Sequence, residues 1–438
     1  MHFFDTILPL ALVALSTTDA APVLQAAAGS QPIPNSYIVV MKANTTDEKF
    51  ESHRSWVSSK MSADAGVNNV GVKNDFNFDD RFKAYSGIFD EDVLKQISGD
   101  EMVAYVEPDL PVNAHKIIIQ KNAPSWGLGR ISSKKAGSKD FIYDQGAGEG
   151  ITAYVVDTGI DVKHPDFGGR AIWGTNTVDS QDEDCGNHGT HVAGTIAGTK
   201  YGVAKKTKLV AVKVLGCGGQ GSISGILMGI NWAIKHAREH GGTRKSVMNL
   251  SLGSSYSPAF NAAVKAAVDA GFFVAVSAGN DNIDASKASP ASEPIVCTIG
   301  ASDSNDKIAS FSNFGSAVDL FAPGVDIVST FPGGGNEALS GTSMSSPHVA
   351  GLAAYLMSRE NISGGYLCER MQRLAWDSVN GAPKGTTRKL IFNGGRNGEV
   401  FPPKKGKKPK VPKRKKVTAP ADCPSLPKYP SYPAAPSS

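Results

Sequence analysis

Between about residue 120 and residue 395, short and continuously apolar segments alternate with longer segments of helical periodicity. The predicted strands are residues 151–156, 209–215, 247–250, 272–276 and 295–299. Strands that are apolar on both faces are typical of a parallel sheet covered by helices on each side. Between them, Ser222 and Ser257-Pro258 carry helix-start signals, and Gly271 ends the second helix. The sequence therefore predicts an α/β fold, with a mostly parallel sheet sandwiched by helices.

A smaller region with a pattern of its own precedes this fold. Residues 37–41 and 103–106 are predicted strands, and Asp90 begins a short helical repeat that Gly99 ends. We expect these elements to form a small α+β domain of ~80 residues.

The first 20 residues have the layout of a secretory signal. Residues 7–15 are almost wholly apolar, and the small residues Ala20 and Ala21 follow. A buried N-terminal helix is the alternative. We expect a signal peptide over residues 1–20, and therefore a secreted, extracellular protein.

Two further features bear on location. Asn44 and Asn361 begin N-glycosylation triplets, which fits a secreted protein. No apolar run reaches the ~20 residues that a membrane span needs, so we do not expect a transmembrane protein.

Charge is concentrated towards the C-terminal end. The whole chain has a net charge of +4, but residues 397–438 alone carry ten basic and two acidic residues, together with ten prolines. We expect these residues to form a disordered tail, either a solvated linker or a segment that contacts anionic wall or surface polymers. The rest of the chain is acidic by four charges, which does not favour a nucleic-acid partner.

Three segments place a reactive side chain at the end of a predicted element. In the first, Asp157 follows an apolar strand and precedes Thr158-Gly159. Its carboxylate is therefore expected at the carboxyl edge of the sheet, where open α/β sheets bind ligands. A simple turn residue is the alternative when this segment is considered alone.

In the second segment, His188 and His191 lie three residues apart in a helical stretch. With Cys185 or Asp184 they could bind a metal, but the spacing does not match zinc motifs. A general base at the start of a helix is the favoured interpretation, since only one of the two histidines then has to face a cleft.

In the third segment, Ser343 begins a helix whose apolar face includes Val349, Leu352 and Leu356. At a helix start, a backbone N–H and the positive end of the helix would face an oxyanion formed when the serine attacks. An N-cap serine is the alternative when this segment is considered alone.

Taken together, the three segments occur in the order Asp, His, Ser on a predicted parallel α/β scaffold. These motifs resemble the subtilisin superfamily of serine endopeptidases, and in particular its secreted fungal proteinase K-like branch. The chain order is the one known for subtilisin. The resemblance extends from about residue 36 to residue 393.

The resemblance implies a catalytic triad and an oxyanion donor. Ser343 would be the nucleophile, His188 the general base and later the general acid, and Asp157 the residue that orients the imidazole. His191 would then be structural. The Asn280 side-chain amide would bind the developing oxyanion.

The resemblance also implies a set of substrate-binding residues. Two segments are similar to the edges that pair with an extended substrate, and glycines leave room in the primary pocket. The residues concerned are Gly219, Gly221, Ser251, Leu252, Gly253 and Gly279. Pairing through the main chain implies broad specificity for proteins and peptides, with an apolar or aromatic side chain before the cut bond (P1). We expect a monomer.

For the first domain, the resemblance implies an inhibitor-type propeptide. It would assist folding, block the cleft as an intramolecular inhibitor and be removed by the protease itself. The expected organisation is a signal peptide over 1–20, a propeptide over 21–116, a peptidase domain over 117–396 and the tail over 397–438. The mature protein would begin between residues 113 and 121.

The five cysteines fit an oxidising compartment. The resemblance implies two disulfides, Cys185–Cys217 and Cys297–Cys368. Cys423 in the tail is left over.

No cofactor is expected for catalysis, but one structural Ca²⁺ is implied by the resemblance. The ligands would be the carbonyl oxygens of Pro294 and Val296 with the carboxylate of Asp319, an all-oxygen set that suits a hard cation.

Other functions fit the sequence less well. An aspartic protease would need a second segment like Asp157-Thr158-Gly159, and the sequence has none. A metallohydrolase would need more ligands than His188 and His191. A catalytically inactive binding protein with the same fold would not need the complete triad.

Overall fold

The computed structural model describes residues 20–26, 32–60, 71–78, 81–111, 116–360, 362, 364–396 and 399–400. The predicted signal peptide up to residue 19, the predicted glycosylation site Asn361 and nearly all of the predicted tail lie outside the described residues. The chain divides into two compact units, Met1–Ala114 and His115–Ser438. Within the described residues, no helix has the length and apolar character needed to cross a membrane.

The first unit is a four-stranded antiparallel sheet with two helices. Its elements are β1 (Ser36–Met41), α1 (Asp47–Lys60), β2 (Gly71–Phe78), β3 (Phe82–Ile88), α2 (Glu91–Ser98) and β4 (Val103–Pro108). The strands lie in the order β2-β3-β1-β4. This arrangement confirms the predicted small α+β domain.

Helix α2 shows how the sequence forms this unit. The Asp90 side chain accepts a hydrogen bond from the Val93 amide at 2.8 Å, as an N-cap residue does. The helix then buries Ile97 against Val39 and Tyr85 of the sheet. Asn44, a predicted glycosylation site, is exposed in the loop after β1.

The second unit contains the remaining helices and strands. Its elements up to the middle of the unit are β5 (Ile117–Gln120), α3 (Trp126–Ile131), β6 (Phe141–Asp144), β7 (Thr152–Asp157), β8 (Ala171–Asn176), α4 (His188–Ala197), β9 (Lys208–Lys213), α5 (Ile223–Glu239), β10 (Ser246–Leu250), β11 (Ser254–Ser255) and α6 (Pro258–Asp269). They are followed by β12 (Phe273–Ser277), β13 (Ala288–Ser289), β14 (Cys297–Ser302), β15 (Leu320–Pro323), β16 (Ile327–Phe331), β17 (Gly335–Leu339), α7 (Thr342–Glu360), α8 (Leu367–Leu374), β18 (Trp376–Asp377), β19 (Lys389–Leu390), β20 (Gly395–Arg396) and β21 (Glu399–Val400).

A nine-stranded sheet forms the centre of this unit. The strand order is β18-β19-β15-β14-β12-β10-β7-β9-β8, and every pair is parallel except β18 with β19. The predicted mostly parallel sheet is therefore confirmed. Each of the five predicted strands overlaps an observed one, and the boundaries differ by at most three residues.

Both faces of the sheet are covered by helices, as the doubly apolar strands predict. Along β7, Ala153 and Val155 belong to a core that includes α4 and α7, whereas Tyr154 and Val156 belong to a core that includes α5 and α6. The predicted cap of α5 is present, because Ser222 Oγ accepts from the Gly225 amide at 3.1 Å.

The arrangement of the strands brings distant parts of the chain together. The strands β10, β7 and β12 are neighbours, with β10 in the middle. Because parallel strands end at the same edge, Asp157, the segment after Leu250 and the segment after Ser277 all lie at one edge of the sheet.

Candidate active site

The Asp157 side chain is fully buried at the end of β7. Its Oδ1 accepts hydrogen bonds from the Thr158 amide at 2.8 Å and from the His188 ring at 2.7 Å. Within the described part of the chain, its Oδ2 is buried without a hydrogen-bond partner. The orientation of Asp157 is therefore set by Oδ1 alone.

His188 is the first residue of α4. Asn187 before it adopts a left-handed conformation with φ 63°, which begins the helix abruptly at the edge of the sheet. The His188 side chain is 28% exposed, and its Nδ1 contacts Asp157. Because a carboxylate only accepts, Nδ1 carries the proton and Nε2 is left as the basic nitrogen of the neutral ring.

Two opposing effects act on the pKa of His188. Burial lowers this pKa, but the negative charge of Asp157 and its hydrogen bond raise it, and the charge of Asp184 adds to them. The net effect is a pKa above the ordinary value of histidine. This is the direction expected for a base whose imidazolium is stabilised by a carboxylate.

His191 lies in a different environment one turn further along α4. It is fully buried, and its Nε2 contacts the carbonyl oxygens of Ile327 at 2.8 Å and Glu337 at 3.2 Å. Burial lowers its pKa to about 4. A neutral histidine held by the backbone in this way is suited to packing in the core.

Ser343 is the second residue of α7. Among the described residues, its hydroxyl donates to the carbonyl oxygen of Ser251 at 3.1 Å rather than to His188. The Ser251 hydroxyl in turn donates to the carbonyl oxygen of Ser343 at 2.7 Å. These reciprocal bonds join the segment after β10 to the start of α7.

Asn280 follows the turn after β12, and Thr342 determines its orientation. Its Oδ1 accepts from both the amide and the hydroxyl of Thr342 at 2.8 Å. Its Nδ2 donors therefore point elsewhere. A β-carbon added at Gly341 would lie 3.5 Å from Asn280 Nδ2 and 3.6 Å from the Ser343 amide nitrogen, so both donors border the same space.

A cavity of about 390 Å³ adjoins Ser343 and Asn280. Its lining includes three other residues of the predicted substrate site, Leu252, Gly253 and Gly279. Gly279 has φ 105°, and a β-carbon there would lie 2.3 Å from Asn313 Nδ2, so this position requires glycine.

The other predicted substrate-binding residues lie outside this cavity. Gly219 occupies a turn after β9 with φ 71°, and Gly221 follows it before α5. Ser251 bonds Ser343 instead of lining the cavity. Neither of the two segments predicted to pair with a substrate, residues 219–222 and 251–253, is a strand. A strand requires hydrogen bonds to the backbone of a second segment, which an extended substrate would supply.

Both implied disulfides are present in the second unit. Cys185–Cys217 joins the segment before α4 to the turn after β9, and Cys297–Cys368 joins β14 to α8. Their Cα atoms are 4.7 Å and 5.7 Å apart. Cys423 lies outside the described residues.

The implied calcium ligands have the right chemistry. Asp319 is half-buried, and its two carboxylate oxygens accept from the Thr298 amide at 3.0 Å and from Gln372 Nε2 at 3.2 Å, respectively. A carboxylate oxygen can accept from an N–H donor and also bind a hard cation, so these bonds are compatible with a Ca²⁺ ligand. Cys297 and Cys368 lie within 4.8 Å of this carboxylate, but their sulfurs are bonded to each other. An oxygen-only set fits Ca²⁺ and does not fit a thiophilic metal.

Three residues near the site were missed by the sequence interpretation. Thr342 orients Asn280, and its only sequence signal is its position before Ser343. Thr158 bonds Asp157 through its amide, and Asp184 bonds Thr158 at 2.6 Å. Asp184 was considered only as a metal ligand.

The comparisons with family models match most of the chain. Residues 148–395 match the model described as the subtilase family, and residues 36–115 match the model described as peptidase inhibitor I9.

The chain is also similar to named fungal proteins. It is 52% identical to Subtilisin-like protease 1 of Arthroderma gypseum (strain ATCC MYA-4604 / CBS 118893), over 92% of this chain and 85% of that protein. It is also 52% identical to Subtilisin-like protease 5 of Trichophyton verrucosum, over 90% of this chain and 99% of that protein.

A solved structure shares the fold. It is the crystal structure of a cold adapted subtilisin-like serine proteinase, with 42% sequence identity and a TM-score of 0.58. The alignment covers 62% of this chain and 98% of that chain.

Proposed function

The chain belongs to the subtilase family and is a serine protease with an inhibitor-type propeptide domain, and from this premise we propose that it is a secreted, self-processing endopeptidase of broad specificity. The observation that carries the proposal is the 2.7 Å bond between His188 and Asp157, which leaves a basic Nε2 at the edge of the sheet. Ser343 and Asn280 border one cavity at that edge.

In the proposed reaction, Ser343 is the nucleophile. Its Oγ turns from the Ser251 carbonyl and bonds the carbonyl carbon of the substrate, while its proton passes to His188 Nε2. His188 then gives this proton to the leaving amine as the C–N bond breaks. Water repeats the two steps on the acyl-enzyme, and Asp157 stabilises the imidazolium each time.

The proposed oxyanion site consists of two N–H donors. Asn280 Nδ2 is directed by the bonds of its Oδ1 to Thr342, and the Ser343 amide lies at the positive end of α7. Both donors are held in place before the reaction, so stabilising the oxyanion requires little reorganisation.

Substrate preference follows from the cavity beside Ser343. Its volume of about 390 Å³ and the absence of a side chain at Gly253 in its lining accommodate a large apolar side chain before the cut bond. Exposed backbone at Gly219 and at Gly253 would pair with the main chain of an extended substrate, which explains broad tolerance at other positions.

The pH dependence follows from His188. The base must be neutral, and its pKa lies above the ordinary value because of Asp157. We therefore expect kcat/KM to fall as the pH decreases through this raised pKa.

The test is the N-terminus and size of the secreted product for wild type and Ser343→Ala. We expect the wild type to lose the residues before the 113–121 region and the variant to remain unprocessed. Ser340→Ala is a matched control, because Ser340 is exposed and its hydroxyl forms hydrogen bonds only with Asp326 among the described residues. Processing of Ser343→Ala at the wild-type rate would show that another protease makes the cut.

A wild type that hydrolyses no peptide would favour the alternative, an inactive binding protein with the subtilase fold. The two outcomes are separated by a chromogenic peptide anilide assay on the same samples.

A single structural Ca²⁺ is a further part of the proposal. The carbonyl oxygens of Pro294 and Val296 and the carboxylate of Asp319 would hold it, and it would stabilise the link between β14 and β15. We expect Ca²⁺ to raise the unfolding temperature of Ser343→Ala and not that of Ser343→Ala with Asp319→Asn. An equal rise in unfolding temperature in both proteins would contradict a Ca²⁺ site at Asp319.

A further inference from the structure

Asp184 is a buried carboxylate close to the active site that the proposed reaction does not use. Its residue is 6% exposed, in the segment just before α4. Burial raises its pKa, which three hydrogen bonds from Thr158 and Thr190 oppose. Burying an ionised carboxylate costs free energy of folding unless hydrogen bonds or an opposite charge compensate for the lost hydration.

The direction of these hydrogen bonds shows that the carboxylate must accept all of them. The Thr158 hydroxyl accepts from the Gly189 amide at 2.9 Å, so it donates its proton to Asp184 Oδ1 at 2.6 Å. The Thr190 hydroxyl accepts from the Asp161 amide at 2.8 Å, so it donates to Asp184 Oδ2 at 2.6 Å. The Thr190 amide donates to the same oxygen at 2.8 Å. An ionised, acceptor-only side chain is the one that satisfies three donors.

The same network reaches both members of the Asp157–His188 pair. Thr158 follows Asp157 and donates its amide to Asp157 Oδ1. Gly189 follows His188 and donates its amide to the Thr158 hydroxyl. Asp184 is therefore bonded, through Thr158, to the residues directly after each partner.

We propose that Asp184 is a positioning residue for the Asp157–His188 pair, and that its negative charge also stabilises the imidazolium form of His188. This inference rests on the proposed function, in which His188 is the base. The carboxylate acts through Thr158 and Thr190 and contacts no reacting atom.

Within the described residues, few charged groups other than Asp184 influence the protonation of His188. Asp157 lies at the end of β7, and His191 faces it from the same helix and is neutral down to about pH 4. Lys213 ends the neighbouring strand β9, but its ammonium donates to the Glu183 carbonyl at 2.8 Å and lies 3.6 Å from Asp179. Removal of the Asp184 charge should therefore lower the pKa of His188.

The test compares four variants of the full chain after maturation, Asp184→Asn, Thr158→Val, Thr158→Ser and Asp182→Asn. Asp184→Asn removes the charge and can no longer accept every bond, whereas Thr158→Val removes the link and keeps the charge. Asp182→Asn is the matched control, an exposed carboxylate two residues away with the same change in net charge. The readouts are kcat, KM and the acid limb of kcat/KM for a peptide anilide with phenylalanine before the cut bond.

We expect Asp184→Asn to lower kcat by roughly 10- to 100-fold with little change in KM, because misplacement of the pair affects the transition state. Its acid limb should move to lower pH by about half a unit or more. Thr158→Val should lower kcat without moving the acid limb, Thr158→Ser should restore kcat, and Asp182→Asn should match the wild type.

A second measurement does not depend on maturation. In the Ser343→Ala background, the titration of His188 is followed by NMR with and without Asp184→Asn, and folding is checked by urea unfolding. An unchanged His188 pKa together with an unchanged kcat would overturn the inference. In that case the wild type would still hydrolyse the peptide anilide and Ser343→Ala would not, whereas failure of the proposed function would leave the two proteins equally active or both inactive.

Discussion

The first turn of α4 lies at the edge of the sheet, whereas the rest of this helix is buried against the sheet and α7. His188 occupies the edge and His191 the interior. A carboxylate raises the pKa of the first, and burial lowers the pKa of the second to about 4. One residue type therefore becomes a base or an inert core residue, according to whether its partner is a charge or a backbone carbonyl.

Replacing His188, the histidine at the edge of the sheet, should have the largest effect on activity. His188→Ala should lower kcat on the order of 10⁶-fold, a magnitude known from subtilisin, a member of the same family. The measurement is hydrolysis of a peptide anilide, corrected with Ser343→Ala. Residual activity within 100-fold of the wild type would contradict the assignment of the base.

His191→Ala is the matched control for that variant. It should cost about 3 kcal/mol of unfolding free energy, because it leaves a cavity and the carbonyl oxygens of Ile327 and Glu337 without their donor. The activity per folded molecule should stay within a few-fold of the wild type.

Acid destabilisation is the next largest expected effect. Burial lowers the pKa of both His191 and His348 to about 4. Since the unfolded chain binds protons at a higher pH, this stability is complete above about pH 6.5 and is lost as the pH falls towards 4, by about 3 kcal/mol for each histidine.

The measurement is urea unfolding of Ser343→Ala across this range, because the inactive variant cannot digest itself. Adding His348→Gln should remove about half of the pH dependence. If the free energy of unfolding did not change between pH 6.5 and 5, the two buried histidines would not be the cause of acid destabilisation.

The two disulfides also differ in their distance along the chain from the active-site residues. Cys185–Cys217 lies near the active-site edge and closes 32 residues, whereas Cys297–Cys368 lies at the amino end of β14 and closes 71. Replacing either pair with serine should cost about 3–4 kcal/mol. We expect only the first replacement also to lower kcat, because Cys185 lies three residues before His188. Equal kcat values for the two variants, measured well below their unfolding temperatures, would contradict this difference.

The smallest expected effect concerns a third environment, on the other face of the sheet. His236 on α5 is half-buried, contacts the Tyr154 hydroxyl at 2.9 Å and stacks on Trp232 and His240. His236→Ala should cost about 1 kcal/mol, the value of one hydrogen bond with its packing, and leave kcat/KM unchanged. A change in kcat/KM would show that this face is coupled to the edge.

Much of the fold could be predicted from local patterns. The doubly apolar strands predicted a parallel sheet covered on both faces, and the serine caps at Ser222 and Ser257 predicted helix starts that the structure contains. Both signals involve residues close together in the chain. The boundaries were less predictable, since pairing with neighbouring strands decides where a strand ends.

The candidate site could be predicted only in part. The identities of Asp157, His188, Ser343 and Asn280 came from motifs, and their roles remain a proposal. The hydroxyl bond from Ser343 to Ser251 and the orientation of Asn280 by Thr342 had no pattern to reveal them.

The sequence was enough to assign the fold class, the family and the order of the reactive residues, because periodicity and motif spacing are properties of contiguous segments of the chain. The surroundings of each histidine, and the bonds of Asp184 to Thr158 and Thr190, became visible only in the folded chain. Asp157 and His188 are 31 residues apart and meet because β7 ends where α4 begins. Burial, hydrogen-bond direction and pKa depend on such meetings, and they arise only when the sheet has formed.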